Sequence, residues 1–184
     1  MDNKATSFDK YLELIGKVDA FVERVQAGHP REITCGPGCS ECCGNTFSVF
    51  AVEAHNLRRG YEELDQADRG KVVENSRRAA VNASCPLLDD GLCLLYPYRP
   101  IICRTHGFPF TSENLKVRGQ KVISFCDRNF AGLPDLSVIA PEHLLNLDLL
   151  NSTLAAINCL FMREQGDTAP DERILIPGIF AARG

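Results

Sequence analysis

The sequence predicts an α+β fold, a mostly helical small domain arranged around an irregular cysteine-rich loop and one short β-hairpin. Apolar residues recur at helical spacing near both ends of the 184-residue chain. Between them, residues 35–44 combine four cysteines with glycines and a proline, a composition that favours a tight, irregular backbone. The pair Asp90-Gly91 between two apolar runs is typical of a hairpin turn. At this length we expect one domain, residues 1–184.

The two flanking helices follow from periodicity and from start and stop residues. Residues 7–28 carry apolar side chains every three or four positions, and Gly28 and Pro30 end the pattern. A second pattern begins at Pro141, a residue favoured in the first turn of a helix, and it runs to Glu164. We therefore predict an N-terminal helix over 7–28 and a C-terminal helix over 141–164.

The middle of the chain alternates helical and irregular segments. Helical patterning covers residues 52–59 and 62–80, and Gly60 is the predicted joint between these helices. The hairpin turn follows. We then predict an extended loop over residues 97–110, which are rich in proline and aromatic residues, and a short strand over residues 121–126. The apolar tail over residues 174–180 is predicted either to cap the fold or to meet a partner.

Composition excludes several classes of protein. The formal net charge of −4 gives no electrostatic footprint for nucleic acid, which needs clustered Lys and Arg in excess. Neither a signal peptide nor an apolar run long enough for a membrane span is visible, so we expect a cytoplasmic protein without a nucleic-acid or membrane partner. Nine cysteines in that reducing compartment indicate metal ligation or redox chemistry, and not structural disulfides.

The cysteine spacing indicates a metal site, because thiolate is a soft ligand that suits zinc and iron. Four cysteines fall within nine residues, and a tight loop can aim several sulfurs at one centre. The hairpin and the segment after it supply four more. The predicted metal ligands are Cys35, Cys39, Cys42, Cys43, Cys85, Cys93, Cys103 and Cys126. Eight thiolates suffice for two four-cysteine centres or for one cluster with spare ligands, and zinc and iron, including a 4Fe-4S cluster, both stay open.

Three of the nine cysteines, the adjacent pair and the last one, need separate predictions. Neighbouring side chains diverge in helix and strand, so we expect Cys42 and Cys43 to point apart, with one of them serving a different centre, bridging two ions or remaining a free thiol. Cys159 falls within the predicted C-terminal helix at a core-like position. We predict that it is a small buried hydrophobe and not a ligand.

The middle of the chain resembles a known family, the zinc- or iron-chelating domain proteins named for a CxxCxxCC motif. The resemblance is carried by Cys39-Ser-Glu-Cys42-Cys43, by the Cys-Pro segment at Cys85, and by the order Arg-Pro-x-x-Cys-Arg from Arg99 to Arg104. The first gap, Gly36 to Gly38, is three residues long where the family name implies two. The resemblance implies a cysteine-cluster metal-binding region over residues 35–126.

The two arginines of that pattern have a physical rationale. Four thiolates around a zinc ion or an oxidised 4Fe-4S core leave a net charge of about −2, which is costly to bury without nearby cations or amide donors. Arg99 and Arg104 lie beside the predicted ligands in sequence. We therefore predict that they support the cofactor-binding site from outside the ligand set.

Two classes of function compete. The first is a binding module with a structural, sensory or metal-delivery role. The second is an iron-sulfur enzyme of redox or methyl-transfer type, because the cysteine cluster is similar to that of flagellin lysine methylases. The spacing Cys35-x3-Cys39-x2-Cys42 is that of radical S-adenosylmethionine enzymes, but Glu41 stands where those enzymes place an aromatic residue. Without a glycine-rich cofactor loop, or the strand-loop-helix setting of a thiol oxidoreductase around Cys39-x2-Cys42, the sequence favours the binding module over an enzyme.

Overall fold

The computed structural model of the chain describes residues 5–82, 84–117, 120–132, 139–166 and 172–181. These residues form six α-helices and eight two-residue strands, which confirms the predicted α+β class. Internal contacts divide the chain into two units. Unit 1 comprises residues 1–35 and 101–157, and unit 2 comprises residues 36–100 and 158–184. The expectation of a single domain stays a prediction. None of the helices in the described ranges has the length and apolar content needed to cross a bilayer.

Unit 1 begins with helix α1, Ser7–Gly28, as predicted. Thr6 and Asp9 form a capping box, in which the Asp9 N–H donates to the Thr6 hydroxyl at 3.1 Å and the Thr6 N–H donates to the Asp9 carboxylate at 2.8 Å. These bonds satisfy backbone donors that the first helical turn leaves without partners. The face turned inward carries Tyr11, Leu14, Val18, Phe21 and Val25.

A short helix and small strand pairs follow in unit 1. Helix α4, Ile101–Thr105, replaces part of the extended loop predicted over residues 97–110, because Pro100 directly precedes its first turn, where the missing N–H costs nothing. Strand β4, Phe110–Thr111, pairs in parallel with β7, Leu145–Asn146. Strands β5, Lys116–Val117, and β6, Gln120–Lys121, form an antiparallel pair. Of the strand predicted over residues 121–126, the structure forms the end of β6 and a bridge between Ser124 and Phe110.

The C-terminal helix is shorter than predicted. Helix α5 spans Leu147–Glu164, and Pro141 instead begins a 3-10 helix, Pro141–His143. Residues 145 and 146 cannot be helical because they form the strand that pairs with β4. The Asn146 side chain then accepts the Leu149 N–H at 3.0 Å, the bond of a helix N-cap.

In unit 2, the break between the two helices lies a few residues after the predicted joint at Gly60. Strand β1 is Ser48–Val49, helix α2 spans Ala51–Glu63 without a break at Gly60, and helix α3 spans Gln66–Asn82. Gly60 lies inside α2, and its lack of a side chain makes room for the Tyr98 ring. A Cβ at this position would lie 2.5 Å from Tyr98 Cδ2. The joint is at residues 64–65, where the Asp65 carboxylate accepts the Asp68 N–H at 2.8 Å.

The predicted hairpin is confirmed. Strands β2, Leu88–Asp89, and β3, Leu92–Cys93, pair antiparallel around Asp90 and Gly91, whose φ angles are 46° and 77°. Two successive left-handed residues are the signature of the tight turn that matches strand twist.

The apolar tail caps unit 2. Strand β8, Ile174–Leu175, pairs antiparallel with β1, and helix α6, Ile176–Phe180, enters the core. Of the two roles predicted for this segment, the structure supports the cap. The buried core of unit 2 comprises Val49, Ala54, Leu57, Tyr61, Val72, Val73, Leu87, Leu95, Ile176, Ile179 and Phe180.

Candidate metal centre

The eight predicted ligands fall into two groups, one in each unit, and every one of them is partly buried. Unit 2 contains five: Cys39, Cys42, Cys43, Cys85 and Cys93. Unit 1 contains three: Cys35, Cys103 and Cys126. The boundary between the units falls between residues 35 and 36 and again between residues 100 and 101. Cys35 therefore belongs to unit 1, although the next cysteine in the sequence, Cys39, belongs to unit 2.

The cysteine loop of unit 2 is held by turns. The Cys39 N–H donates to the Gly36 carbonyl at 3.0 Å, and Gly38 between them has a φ of 89°, a conformation that glycine adopts without a steric penalty. A 3-10 helix, Glu41–Gly44, follows, and the Cys43 N–H donates to the Ser40 carbonyl at 2.9 Å. The loop thus presents three cysteines from two consecutive turns of backbone.

One backbone hydrogen bond joins this loop to the hairpin segment. The Cys85 N–H donates to the Cys43 carbonyl at 2.8 Å. The Cys43 thiol shares side-chain hydrogen bonds with Cys42 on one side and Cys85 on the other. Cys39 and Cys93 lie within electrostatic range of the same thiol. Cys43 is therefore the centre of a five-cysteine group.

The core of unit 2 fixes the hairpin end of this group. Cys85 and Cys93 both pack against the buried cluster that contains Leu87 and Leu95. Cys93 belongs to strand β3 and pairs with Leu88 across the hairpin. Core packing therefore restricts both cysteines, and strand register also restricts Cys93.

Crowding of the thiols opposes their ionisation. The hydrogen bond with Cys43, followed by burial, raises the pKa of the Cys42 thiol far above its usual value. The hydrogen bond with Cys42 lowers the pKa of Cys43, but the bond with Cys85, burial and the charges of Cys85 and Cys39 together raise it. Burial raises the pKa of Cys93, while Arg99 acts in the opposite direction. A group of this kind needs a cation to hold several thiolates at once.

The adjacent cysteines do not point apart as predicted. Cys42 and Cys43 share a side-chain hydrogen bond, because both lie in a tight 3-10 turn and not in a strand or a regular α-helix. In the described ranges, no three His, Cys, Asp or Glu side chains meet at the distances of direct metal ligation.

In unit 1, Cys35 and Cys126 meet at Gly107. A Cβ on Gly107 would lie 2.8 Å from the Cys35 sulfur and 3.3 Å from the Cys126 Cβ. The Cys126 N–H donates to the Gly107 carbonyl at 3.3 Å, and Asn129 donates from its side-chain nitrogen to the Cys35 sulfur at 3.3 Å. Cys103 lies on helix α4 of the same unit.

The two predicted supporting arginines have different surroundings. The Arg99 guanidinium lies 3.5 Å from the centroid of the Tyr96 ring, and its positive charge partly opposes the rise that burial causes in the pKa of Cys93. Arg104 is buried, and its Nη1 donates to both carboxylate oxygens of Asp19 at 2.8 and 2.7 Å. Asp19 thus balances charge at Arg104, and the predicted support of the cofactor by both arginines stays a prediction.

Sequence reasoning missed three residues around these cysteines. They are Asp19, which lies on α1 and pairs with Arg104, Gly107 and Asn129. Gly107 could have been identified from the sequence, because it is a glycine directly after the stretch from Cys103 to His106. In the structure its φ is 94°, an angle that favours glycine. Asn129 gave no signal, because periodicity does not describe loops. Cys159 lies on α5 and is partly buried, and its role as a non-ligand stays a prediction.

Comparison with known proteins gives one match. The model of the family described as "CxxCxxCC: Putative zinc- or iron-chelating domain" matches residues 34–127, about half of the chain. The matched range begins one residue before Cys35 and ends one residue after Cys126. No curated protein and no solved structure shows a significant match to the chain.

Proposed function

Because the chain belongs to the CxxCxxCC family of zinc- or iron-chelating domains, we propose that it is a cytoplasmic metal-binding protein that holds zinc or an iron-sulfur cluster through cysteine thiolates. Its proposed role is structural, sensory or metal-delivering. The observation that carries the proposal is the five-cysteine group around Cys43.

The donor set of this group fits the metals that the family name gives. All five side chains offer sulfur, the donor that zinc and iron-sulfur clusters prefer in proteins. A closed zinc site takes four ligands, so the group has one sulfur more than a single zinc ion needs. We propose Cys39, Cys42, Cys43, Cys85 and Cys93 as ligands in unit 2, and we propose Cys35, Cys103 and Cys126 of unit 1 as further ligands.

The surroundings of the sulfurs suit a metal that also supports the fold. The loop contacts the hairpin segment through the bond from Cys85 to Cys43, and the hairpin cysteines pack on the core of unit 2. When bound, zinc would supply a rigid tetrahedral cross-link, and an iron-sulfur cluster would supply a redox centre. Either would bond the irregular loop to the core-anchored hairpin. The partial exposure of the cysteines leaves a path for metal exchange, which sensing and delivery require.

Metal analysis of protein purified without oxygen tests the proposal. We expect stoichiometric zinc or iron in the wild type, and absorption at about 400 nm if the metal is an iron-sulfur cluster. Cys43→Ser should reduce the bound metal severely, because it removes the sulfur at the centre of the group. Wild-type protein that takes up neither zinc nor iron, even after reconstitution under reducing conditions, would refute the proposal.

Removal of the metal tests the structural part of the role. Residues 31–50 and 83–126 contain many glycines and prolines, and ordering a backbone costs about 1 to 2 kcal/mol per residue. A structural zinc contributes roughly 10 to 16 kcal/mol in small peptides, which is comparable with the whole stability of a domain. We therefore expect a strong chelator to raise amide hydrogen exchange in these two segments far more than in α1 and α5. Equal protection with and without metal would argue against a structural centre.

A further inference from the structure

A buried asparagine outside the family-matched range contacts one of the proposed ligands. Asn129 has no exposed surface, and it lies two residues beyond the range 34–127. We propose that Asn129 is a positioning residue that holds the Cys35 sulfur beside Cys126 and so favours metal binding there. This inference rests on the proposed function, since it assigns a role within the same set of cysteines.

The oxygen of the Asn129 side chain fixes the orientation of its amide. Oδ1 accepts the backbone N–H of Thr34 at 2.9 Å and that of Cys35 at 3.3 Å. It also lies 3.2 Å from the Thr34 hydroxyl. Two backbone donors can face only an acceptor, so the oxygen and the nitrogen of this amide cannot be interchanged. The backbone on the N-terminal side of Cys35 is therefore tied to Asn129.

The nitrogen of the same amide reaches the sulfur. Nδ2 donates to the Gly107 carbonyl at 2.6 Å and to the Cys35 sulfur at 3.3 Å. The two N–H bonds of the amide thus have separate acceptors. A hydrogen bond to a thiolate stabilises its charge and leaves other sulfur lone pairs for a metal. Asn129 therefore orients Cys35 from both sides, through its backbone and through its sulfur.

Gly107 and Cys126 complete this arrangement. With a φ of 94° and the Cys35 sulfur 2.8 Å from the place of a Cβ, residue 107 has room only for glycine. The Cys126 N–H donates to the Gly107 carbonyl, and the Asn129 N–H donates to the Cys126 carbonyl at 2.8 Å. The Gly107 carbonyl is thus shared by the backbone of Cys126 and the side chain of Asn129. One amide connects the chain segments that carry two proposed ligands.

Asn129→Asp is the sharpest test, because it keeps the size of the side chain and the accepting Oδ1. It replaces both N–H donors with a charged oxygen that faces the Gly107 carbonyl and the Cys35 sulfur. Loss of a residue that supports a ligand in this way typically lowers metal affinity 10- to 100-fold. We expect a loss of about 10- to 100-fold in Zn²⁺ affinity, measured on the reduced full-length chain by competition with a chromophoric chelator.

A double-mutant cycle separates positioning from a general structural effect. In a Cys35→Ser background, Asn129→Asp should change Zn²⁺ affinity less than about threefold, because the sulfur it acts on is gone. The matched control is Asn158→Asp, another buried asparagine, whose Oδ1 accepts the Val52 N–H at 3.1 Å. It should leave the affinity close to that of the wild type. An equal loss with and without the Cys35 sulfur, or no loss in either, would overturn the inference.

A measurement on the unmutated chain covers the case in which Asn129→Asp does not fold. Protein labelled with ¹⁵N at asparagine and loaded with ¹¹³Cd²⁺ should show scalar coupling between the Asn129 side-chain proton and the metal, transmitted across the N–H···S bond. An assigned Asn129 signal without coupling would overturn the inference. A wild type that binds neither Zn²⁺, Cd²⁺ nor iron would instead refute the proposed function, so the two failures are distinguishable.

Discussion

Gly60→Ala sets two effects of opposite sign against each other. Within the last turn of α2, replacing glycine by alanine should stabilise the helix by up to about 1 kcal/mol. The new Cβ, however, would lie 2.5 Å from Tyr98 Cδ2, where carbon atoms prefer about 3.5 to 4.0 Å. The ring cannot retreat easily, because the Tyr98 hydroxyl bonds to Glu63, the Tyr98 N–H bonds to Leu95 and its carbonyl accepts from Asn56.

The packing cost should exceed the gain in helix propensity. Overpacking costs about 1 to 3 kcal/mol, and the anchoring of the ring places Tyr98 near the upper end of that range. We therefore expect Gly60→Ala to lower the free energy of unfolding by about 1 to 2 kcal/mol. For a chain of this length each 1 kcal/mol corresponds to about 2 to 4 °C in Tm.

Urea unfolding followed by circular dichroism, at one fixed metal loading, measures this difference. Gly70→Ala in α3 and Gly16→Ala in α1 are the matched controls, since a Cβ at either position meets nothing within 4 Å. Both should gain up to about 1 kcal/mol. If Gly60→Ala stabilises the chain as much as these two variants do, the described contact between the Tyr98 ring and Gly60 is refuted.

Three further substitutions have expected outcomes. Asp19→Asn removes the carboxylate charge that the buried Arg104 contacts, and because Asp19 is partly exposed we expect a loss of about 1 to 3 kcal/mol in urea unfolding; an unchanged midpoint would contradict the ion pair. Phe180→Ala removes a fully buried ring and should cost about 3 to 5 kcal/mol, whereas Leu175→Ala, 56% exposed, should cost less than about 1 kcal/mol. Cys159→Ala should keep the wild-type metal content and cost about 1 kcal/mol; loss of bound metal would make it a ligand.

Features set by local chemistry could be predicted from the sequence. The Asp90-Gly91 turn requires two left-handed residues, and few residue pairs provide them. Helix α1 matched its prediction because its periodicity and its stop residues agree. The clustering of Cys39, Cys42 and Cys43 in one loop could also be predicted, because residues that are close in sequence are necessarily close in space.

Features set by distant contacts could not be predicted. Gly60 has the appearance of a helix breaker, and only the position of Tyr98, 38 residues later, shows that its missing side chain makes room for a ring. Pro141 resembles a helix start, but pairing of Leu145 with Phe110 delays α5 until Leu147. The Asn129 side chain is held by hydrogen bonds from Thr34 and Cys35, which are more than 90 residues away in the chain.

The discontinuous course of the two units has a consequence for synthesis on the ribosome. Cys39 and the other proposed ligands of unit 2 are translated by residue 93, but β8 and α6, which complete the core of that unit, end only at Phe180. At about 5 to 20 residues per second, the intervening 87 residues take roughly 4 to 17 seconds. During that interval the thiols stand on an incomplete core, open both to metal and to oxidants. Early capture of metal by the nascent chain would protect them until its last helix arrives.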